Sequence, residues 1–422
     1  MEGEKQKIQL LMEKGVQIPN PEAVEIGSEV DADNIDKKDV VIHSGCKIFG
    51  RDTLILSGTI LGSEAPVTID NCQIGRHVEL KGGSFHESVF LDRVNIGSGA
   101  QVRRGCLLEE EVTAAHTVGL KQSILFPFVT LGSLINFCDC LMAGGTSRKN
   151  HSEVGSSYIH FNFTPHQDKA TPSLMGDVPA GVMLNKAPIF LGGQGGLVGP
   201  ARIAYGAVIA AGTILRGDAL RENHLYIEGS AGKSRNVPFY PGLYRNIEPV
   251  LKKNILYLGN LAALRQWYLK VRSIFMTGEK ERLLWTGALR KLDQAYGERL
   301  SRLKDLAEKM PRSIKLYRKV KHEKVPEKTI IQQSEFYKKW GEMENALRNC
   351  FELEGDPSKR DPFLYQLEQE IKAFGLNYPV VIQSLPPDWS EAGTQWLQAI
   401  VDRTLKIAAG IIPSLNLNKK DL

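Results

Sequence analysis

Apolar residues recur at every sixth position through Leu191, Leu197, Ile203, Ile209 and Leu215. Small residues and turn formers fill the gaps, as in Ile203-Ala-Tyr-Gly206 and Ile209-Ala-Ala-Gly212. A period of six matches neither the 3.6 of a helix nor the 2 of a strand. It predicts a hexapeptide solenoid, a chain wound into a parallel β-helix in which three hexads close one triangular turn. Earlier residues keep the interval less cleanly: Ile96, Val102 and Leu108; Val112, Val118 and Ile124; Val129, Ile135 and Leu141. Pairs of an apolar and a small residue, Ile74-Gly75 and Leu131-Gly132, belong to the same pattern. The solenoid is expected from about residue 40 to 236. A right-handed β-helix or a β-sandwich with an accidental period is the alternative, and the handedness does not follow from the period.

The pattern then changes. Of 40 glycines, 31 lie at or before Gly242, as expected if tight corners end there and helices begin. Val237-Pro-Phe-Tyr-Pro-Gly-Leu-Tyr244 reads as a punctuated linker. Beyond it Val250, Leu251, Asn254, Leu258, Leu261 and Leu264 stand at spacings of three and four, which predicts a helix over 247–276. Further helices are expected near 279–309, 330–354, 360–374 and 389–409. Asp361-Pro362 and Pro386-Pro387-Asp388 read as helix starts. The chain thus divides into an N-terminal helix and lead-in (1–39), a β-helix with an inserted loop over 161–186 (40–236), and a linker with an all-α domain (237–422). Five tryptophans after the linker are expected to build the helical core or dock it on the solenoid.

The composition, 422 residues with 42% hydrophobic and 24% charged, is ordinary for a globular protein. A net charge of +5 is small and points to no nucleic acid partner. The basic residues Lys315, Arg318, Lys319, Lys321 and Lys324 read as a solvated helix face. Six cysteines are too few for a disulfide scaffold. Cys138 and Cys140, read as sharing one strand face, lack further ligands nearby, so no metal is expected. No apolar signal core or 18-residue apolar run occurs, so a cytoplasmic protein without a membrane span is expected.

The stretch Ile189-Phe-Leu-Gly-Gly-Gln-Gly-Gly-Leu-Val-Gly-Pro through Arg216-Gly-Asp218 resembles, without a gap, the last coils of the acetyltransferase half of bacterial bifunctional N-acetylglucosamine-1-phosphate uridyltransferase/glucosamine-1-phosphate acetyltransferase. That family belongs to the hexapeptide-repeat transferases, and the resemblance implies a left-handed parallel β-helix. The family's preceding loop is similar to Asn162-Phe-Thr-Pro-His-Gln-Asp-Lys169-Ala-Thr171, ending in Gly176-Asp177. Its histidine motif is echoed by Arg148-Lys-Asn-His151 running into Ser152-Glu-Val-Gly155, as if one hexad were missing. Its sugar-phosphate arginine position is occupied by Thr130, within Phe126-Pro-Phe-Val-Thr-Leu-Gly132. The resemblance covers about residues 90–230. No glycine-rich nucleotidyltransferase signature is present, so no uridyltransferase activity is expected of this chain. The helical tail has no counterpart in that enzyme.

The resemblance implies a coenzyme A-dependent acyltransferase, related to enzymes of UDP-N-acetylglucosamine biosynthesis, acting on an amino sugar or sugar phosphate. Acetyl-CoA would be the donor and a homotrimer the assembly. Such transfer needs a base for the amine proton and a donor for the oxyanion. Histidine suits the first task. His151, His160 and His166 are the candidate bases. His160 and Asn162 share a strand face by period two. Asn162 and Lys169 are candidate coenzyme contacts, and Gly193 and Ala211 match coenzyme-lining positions. The family's terminal arginine aligns with Gly229, leaving Lys233 and Arg235 as candidate replacements. The competing reading is a non-catalytic solenoid scaffold or sugar-nucleotide-binding protein whose helical tail holds a partner.

Overall fold

A computed structural model describes residues 2–227, 238–320 and 327–415. Lys233 and Arg235 lie outside the described residues. The first 227 residues form three parallel sheets that run around a triangular solenoid, the left-handed β-helix that the resemblance implies. Sheet A holds ten strands, from Val41–Ile42 to Leu225–Tyr226. Sheet B also holds ten, from Glu25–Ile26 to Ile214–Leu215, and sheet C holds eight, from Leu54–Ile55 to Arg202–Ile203.

Register explains the sixfold period. Sheet A stacks Ile96, Ala114, Leu131, Val154, Leu191 and Ile209 in one inward column. Sheet C stacks Ile74, Phe90, Leu108, Leu125, Met142, Met175 and Ile203. All are buried, and each large aliphatic one contributes about 1.5–3 kcal/mol by leaving water. The earlier part of the period was misaligned. Ile96 pairs with Ala114, Val102 with Leu120, and Leu108 with Leu125. Val112, Val118 and Ile124 are also buried, but they stand one or two positions before the column. A circuit here can lose a residue: Leu108 to Leu125 is seventeen, whereas Leu191 to Ile209 is eighteen.

The segment read as an irregular insertion contains a sheet C strand. Ser173–Met175 pairs with Cys140–Met142 on one side, and Leu174–Met175 with Arg202–Ile203 on the other. The solenoid therefore continues, with excursions on either side of that strand. Met175-Gly176 carries the same apolar-small signature as Ile74-Gly75, a signal available in the sequence.

The helices are α1 (Glu2–Glu13), α2 (Val178–Gly181), α3 (Glu248–Trp267), α4 (Ser273–Phe275), α5 (Glu279–Lys319), α6 (Glu327–Lys338), α7 (Trp340–Cys350), α8 (Pro357–Phe374), α9 (Tyr378–Ser384) and α10 (Pro387–Ile411). A π-helical turn, Tyr268–Arg272, joins α3 to α4. Helix α8 starts at Pro357, capped by Asp356, rather than at Asp361-Pro362. Helix α5 continues past Pro311. Helix α9 was not expected; its start is set by Asn377, whose side chain accepts from the Val380 amide.

These helices cover sheet C. Helix α5 lies against its first three strands and α3 against Ser173–Met175. One hydrophobic cluster runs from the solenoid columns into the helices, including the fully buried Trp267 and Trp396. Sheets A and B carry exposed apolar residues on their outer faces near the last coils: Phe190, Val208 and Leu225 on A; Ile159, Phe161 and Val198 on B. No helix among the described residues is long and apolar enough to cross a membrane.

Candidate functional site

The turn between sheets C and A departs from the repeat. From Leu125 to Leu131 the crossing takes six residues. From Met142 to Val154 it takes twelve. Six extra residues are therefore looped out at this corner. Gly145–Ser147 and Asn150–His151 pair as an antiparallel hairpin at the corner.

His151 ends this hairpin with its side chain 21% exposed. Its Nδ1 lies 2.9 Å from the carbonyl oxygen of Arg148. A carbonyl only accepts, so Nδ1 carries the proton and Nε2 holds a lone pair. That Nε2 is 3.6 Å from Glu153 Oε2. A proton on Nε2 would lie beside a carboxylate.

Arg148 of the same hairpin folds back over the preceding coils. Its terminal nitrogens donate to the carbonyls of Glu111 (3.0 Å) and Phe128 (2.6 Å) and to the hydroxyls of Thr113 (2.9 Å) and Thr130 (3.0 Å). A guanidinium therefore lies on Thr130, the position at which the resemblance expects an arginine.

His160 is placed otherwise than expected. It occupies the inward column of sheet B, between Phe137 and Leu197, and is 2% exposed. Its Nδ1 donates to the Cys138 carbonyl at 2.6 Å, and its Nε2 accepts from Ser173 Oγ at 2.8 Å. Burial pushes its pKa down to about 4. The period-two argument gave His160 and Asn162 one face turned to a cleft; in the structure His160 points into the core, whereas Asn162 lies beyond the strand's end and is half-buried.

His166 is a partly exposed anchor for the linker. Its Nδ1 accepts from the Gly242 amide at 3.0 Å, which leaves the proton on Nε2. Its ring stacks on Phe239 and leans on Tyr244. Burial lowers its pKa. It borders a cavity of about 320 Å³ with Asp168 and Thr171, and Asp168 Oδ2 accepts from Tyr244 and Thr164.

Asn162 and Lys169 fasten their loop to α5. Asn162 Nδ2 donates to Asp139 Oδ2 at 2.5 Å, and Arg299 Nη2 donates to Asp139 Oδ1 at 2.6 Å. Arg299 Nη1 reaches the Lys169 carbonyl. The Asp139 and Arg299 side chains are almost fully buried. Asp139 adopts a left-handed corner conformation, so Cys138 and Cys140 end and begin different strands rather than sharing one face. Among the described residues no group of three or more His, Cys, Asp or Glu is placed to hold a metal ion.

Gly193 and Ala211 stand in one column at the corner after sheet A. The column is crowded: a Cβ at Gly155 would lie 2.4 Å from Gly193 N, and one at Gly192 would lie 2.3 Å from Ala211 N. Ala211 is exposed, so the corner offers a smooth track of small residues. His151 and Arg148 are thus brought together at one corner, while His160, His166, Asn162 and Lys169 are placed elsewhere. Sequence reasoning missed Arg148 and Arg299. The first stood inside the quoted His151 motif; nothing local marks the second.

No family model matches the chain. Curated relatives do. The bifunctional protein GlmU of Thermotoga petrophila is 28% identical over 213 residues, covering 50% of this chain and 42% of that protein. The GlmU of Trichlorobacter lovleyi is 28% identical over 216 residues, 51% and 42% of the two chains. The GlmU of Staphylococcus haemolyticus is 25% identical over 220 residues, 50% and 42%. The match thus spans less than half the length of these relatives. Together with the parallel solenoid, it fits the acetyltransferase half of the GlmU family.

Proposed function

We propose that the chain is a coenzyme A-dependent acyltransferase acting on an amino sugar or sugar phosphate, with an acetyltransferase-like role in UDP-N-acetylglucosamine biosynthesis. The observation that carries this reading is the tautomer of His151. Its Nδ1–H is held by the Arg148 carbonyl, and its Nε2 lone pair stands beside Glu153. The acceptor amine attacks the thioester carbonyl, Nε2 takes the amine proton, and the C–S bond breaks to release the coenzyme thiolate, which is then protonated. Acetyl-CoA supplies the acyl group, its arm lying along the small-residue corner of Gly193 and Ala211.

The assembly under this reading is a homotrimer. The apolar strips on sheets A and B support self-association, since sheet C is covered by the chain's own helices. Light scattering at micromolar concentration should give three chain masses; a monomer mass would remove the trimer.

The test of the function is acetyl transfer from acetyl-CoA to a panel of amino sugars and their phosphates, with acetyl-CoA binding followed separately by calorimetry. Transfer that is lost in His151→Ala while binding persists supports the reading. Absence of both transfer and coenzyme binding in the wild type would leave a non-catalytic scaffold.

A further inference from the structure

The His151 hairpin is held from two sides. Toward the solenoid, Arg148 fixes its tip to the Glu111 and Phe128 carbonyls and to the Thr113 and Thr130 hydroxyls. Toward the helical part, Gln383 of α9 reaches the first strand of the hairpin. Its Nε2 donates to the Thr146 carbonyl at 2.6 Å and to the Leu184 carbonyl at 3.0 Å. One amide thereby gives both of its hydrogens to backbone acceptors of two different segments. Thr146 stands between Gly145, the ladder partner of His151, and Ser147, the partner of Asn150. Its hydroxyl accepts from Asn150 Nδ2 at 2.9 Å. Leu184 follows α2, and two residues on the Lys186 carbonyl accepts from the Gly145 amide at 3.0 Å. Gln383 therefore joins the two segments that meet beside His151.

A side chain positions its neighbour only if its own base is rigid. Gln383 is exposed, but the helix that carries it is anchored. Tyr378, Val381 and Ile382 are buried. The Tyr378 hydroxyl accepts from Trp267 Nε1 at 3.0 Å. The guanidinium of Arg272 lies over the Tyr378 ring, 3.8 Å from its centroid, a contact that strengthens when desolvated. Arg272 is fully buried and bonds the Glu110 carboxylate. Both routes from the hairpin thus end on consecutive solenoid residues. Arg148 ends on the Glu111 carbonyl, and α9 ends, through Tyr378 and Arg272, on the Glu110 carboxylate. The contacts close a ring around the corner, and a hairpin that shifted would have to leave one of its two holds.

We propose that Gln383 is a positioning residue for His151, so that the helical part sets where the base stands. This rests on the acyltransferase reading. His151 Nδ1 bonds the Arg148 carbonyl inside the hairpin, so the imidazole moves with the hairpin as one body. Proton transfer needs Nε2 within hydrogen-bond reach of the amine, and a misplacement of about 1 Å can cost about 10² in rate.

Three substitutions at Gln383 in the full chain test this. Gln383→Leu removes both donors, Gln383→Glu puts acceptors in their place, and Gln383→Lys keeps donors there. Amide exchange over residues 145–151, read by mass spectrometry, should quicken at least about fivefold in the Leu and Glu variants. It should stay at the wild-type rate in the Lys variant. Acetyl transfer should follow the same order. In the Leu and Glu variants kcat should fall at least about tenfold while KM for acetyl-CoA stays within about twofold; Gln383→Lys should retain most of the turnover. The melting temperature should be the same in all of them, because the side chain is exposed. Unchanged exchange in Gln383→Leu overturns the proposal, and so does quickened exchange with full turnover. The two readings fail apart. A wild type without acetyl transfer removes the acyltransferase reading and leaves the hold of Gln383 on the hairpin to stand or fall on exchange alone. Full turnover in Gln383→Leu removes only the positioning role.

Discussion

The coils from Phe190 to Leu215 and the circuit just before them follow the same ladders, yet they use their residues differently. In the later coils Leu191 to Ile209 and Leu197 to Leu215 are both eighteen residues, and nothing projects. From Val154 to Leu191 the circuit takes thirty-seven, and the turn before it loops out the His151 hairpin. The regular coils present small corners and apolar faces. The irregular circuit and hairpin hold His151, Arg148, Asn162, Lys169 and His166. In a solenoid whose core is fixed by repetition, polar chemistry is carried by the departures from the repeat.

The largest effect should come from the hairpin. His151→Ala should lower acetyl turnover by about 10² to 10⁴, with acetyl-CoA binding nearly unchanged in calorimetry. A fully active variant would mean that the hairpin holds no base. Next is the anchor of the excursion. Arg299→Met leaves Asp139 buried with only Asn162 as partner, and urea denaturation should show a loss of about 3–5 kcal/mol. A loss within error would mean that the pair is solvated. In the regular coils, Ile203→Asp places a carboxylate in the sheet C column, and the same measurement should show a cost of at least ~3 kcal/mol. An unchanged melt would break the register itself.

His160 sharpens the contrast at the smallest scale, because it is a polar residue inside a regular column. Its folded-state pKa of about 4 is below the ordinary 6.5. The unfolded chain therefore takes up the proton first. The contribution of a neutral His160 is complete above about pH 6.5 and is lost as pH falls towards 4, on the order of 3 kcal/mol. His160→Leu should flatten the melting temperature between pH 7 and pH 5 relative to wild type. Parallel curves would show that His160 does not set the slope.

The sequence made the solenoid, its span and the helical second half legible, because inward columns demand large apolar residues at a fixed interval. The interval slipped at Val112 and Val118, two positions before the column at Ala114 and Leu120, because neighbouring positions were equally apolar; a residue is lost only later, before Leu125. Ser173–Met175 was hidden because three residues are too few to show a period. The motif singled out His151 as a candidate. His160 was not separable from it, since period two gives a shared face but not which way that face points. Arg299 and Arg272 reach the solenoid from more than a hundred residues away, and no local pattern encodes such contacts.

One consequence of α5 concerns how the molecule comes apart. A stack of coils has nearest-neighbour energetics, so its ends can fray one circuit at a time. Helix α5 touches the first circuits and also circuits far along the stack. Lys280 bonds Asp36, Arg290 bonds Asp52, Arg299 bonds Asp139, and Lys309 bonds the Gln167 carbonyl. Twenty-nine residues of helix from Lys280 to Lys309 span about 44 Å, so one rigid rod reports on nearly the whole stack. Peeling a terminal coil would release the helix from all the others as well. The expected signature is a single sharp unfolding transition, with amide exchange in the first and last coils as slow as in the middle ones.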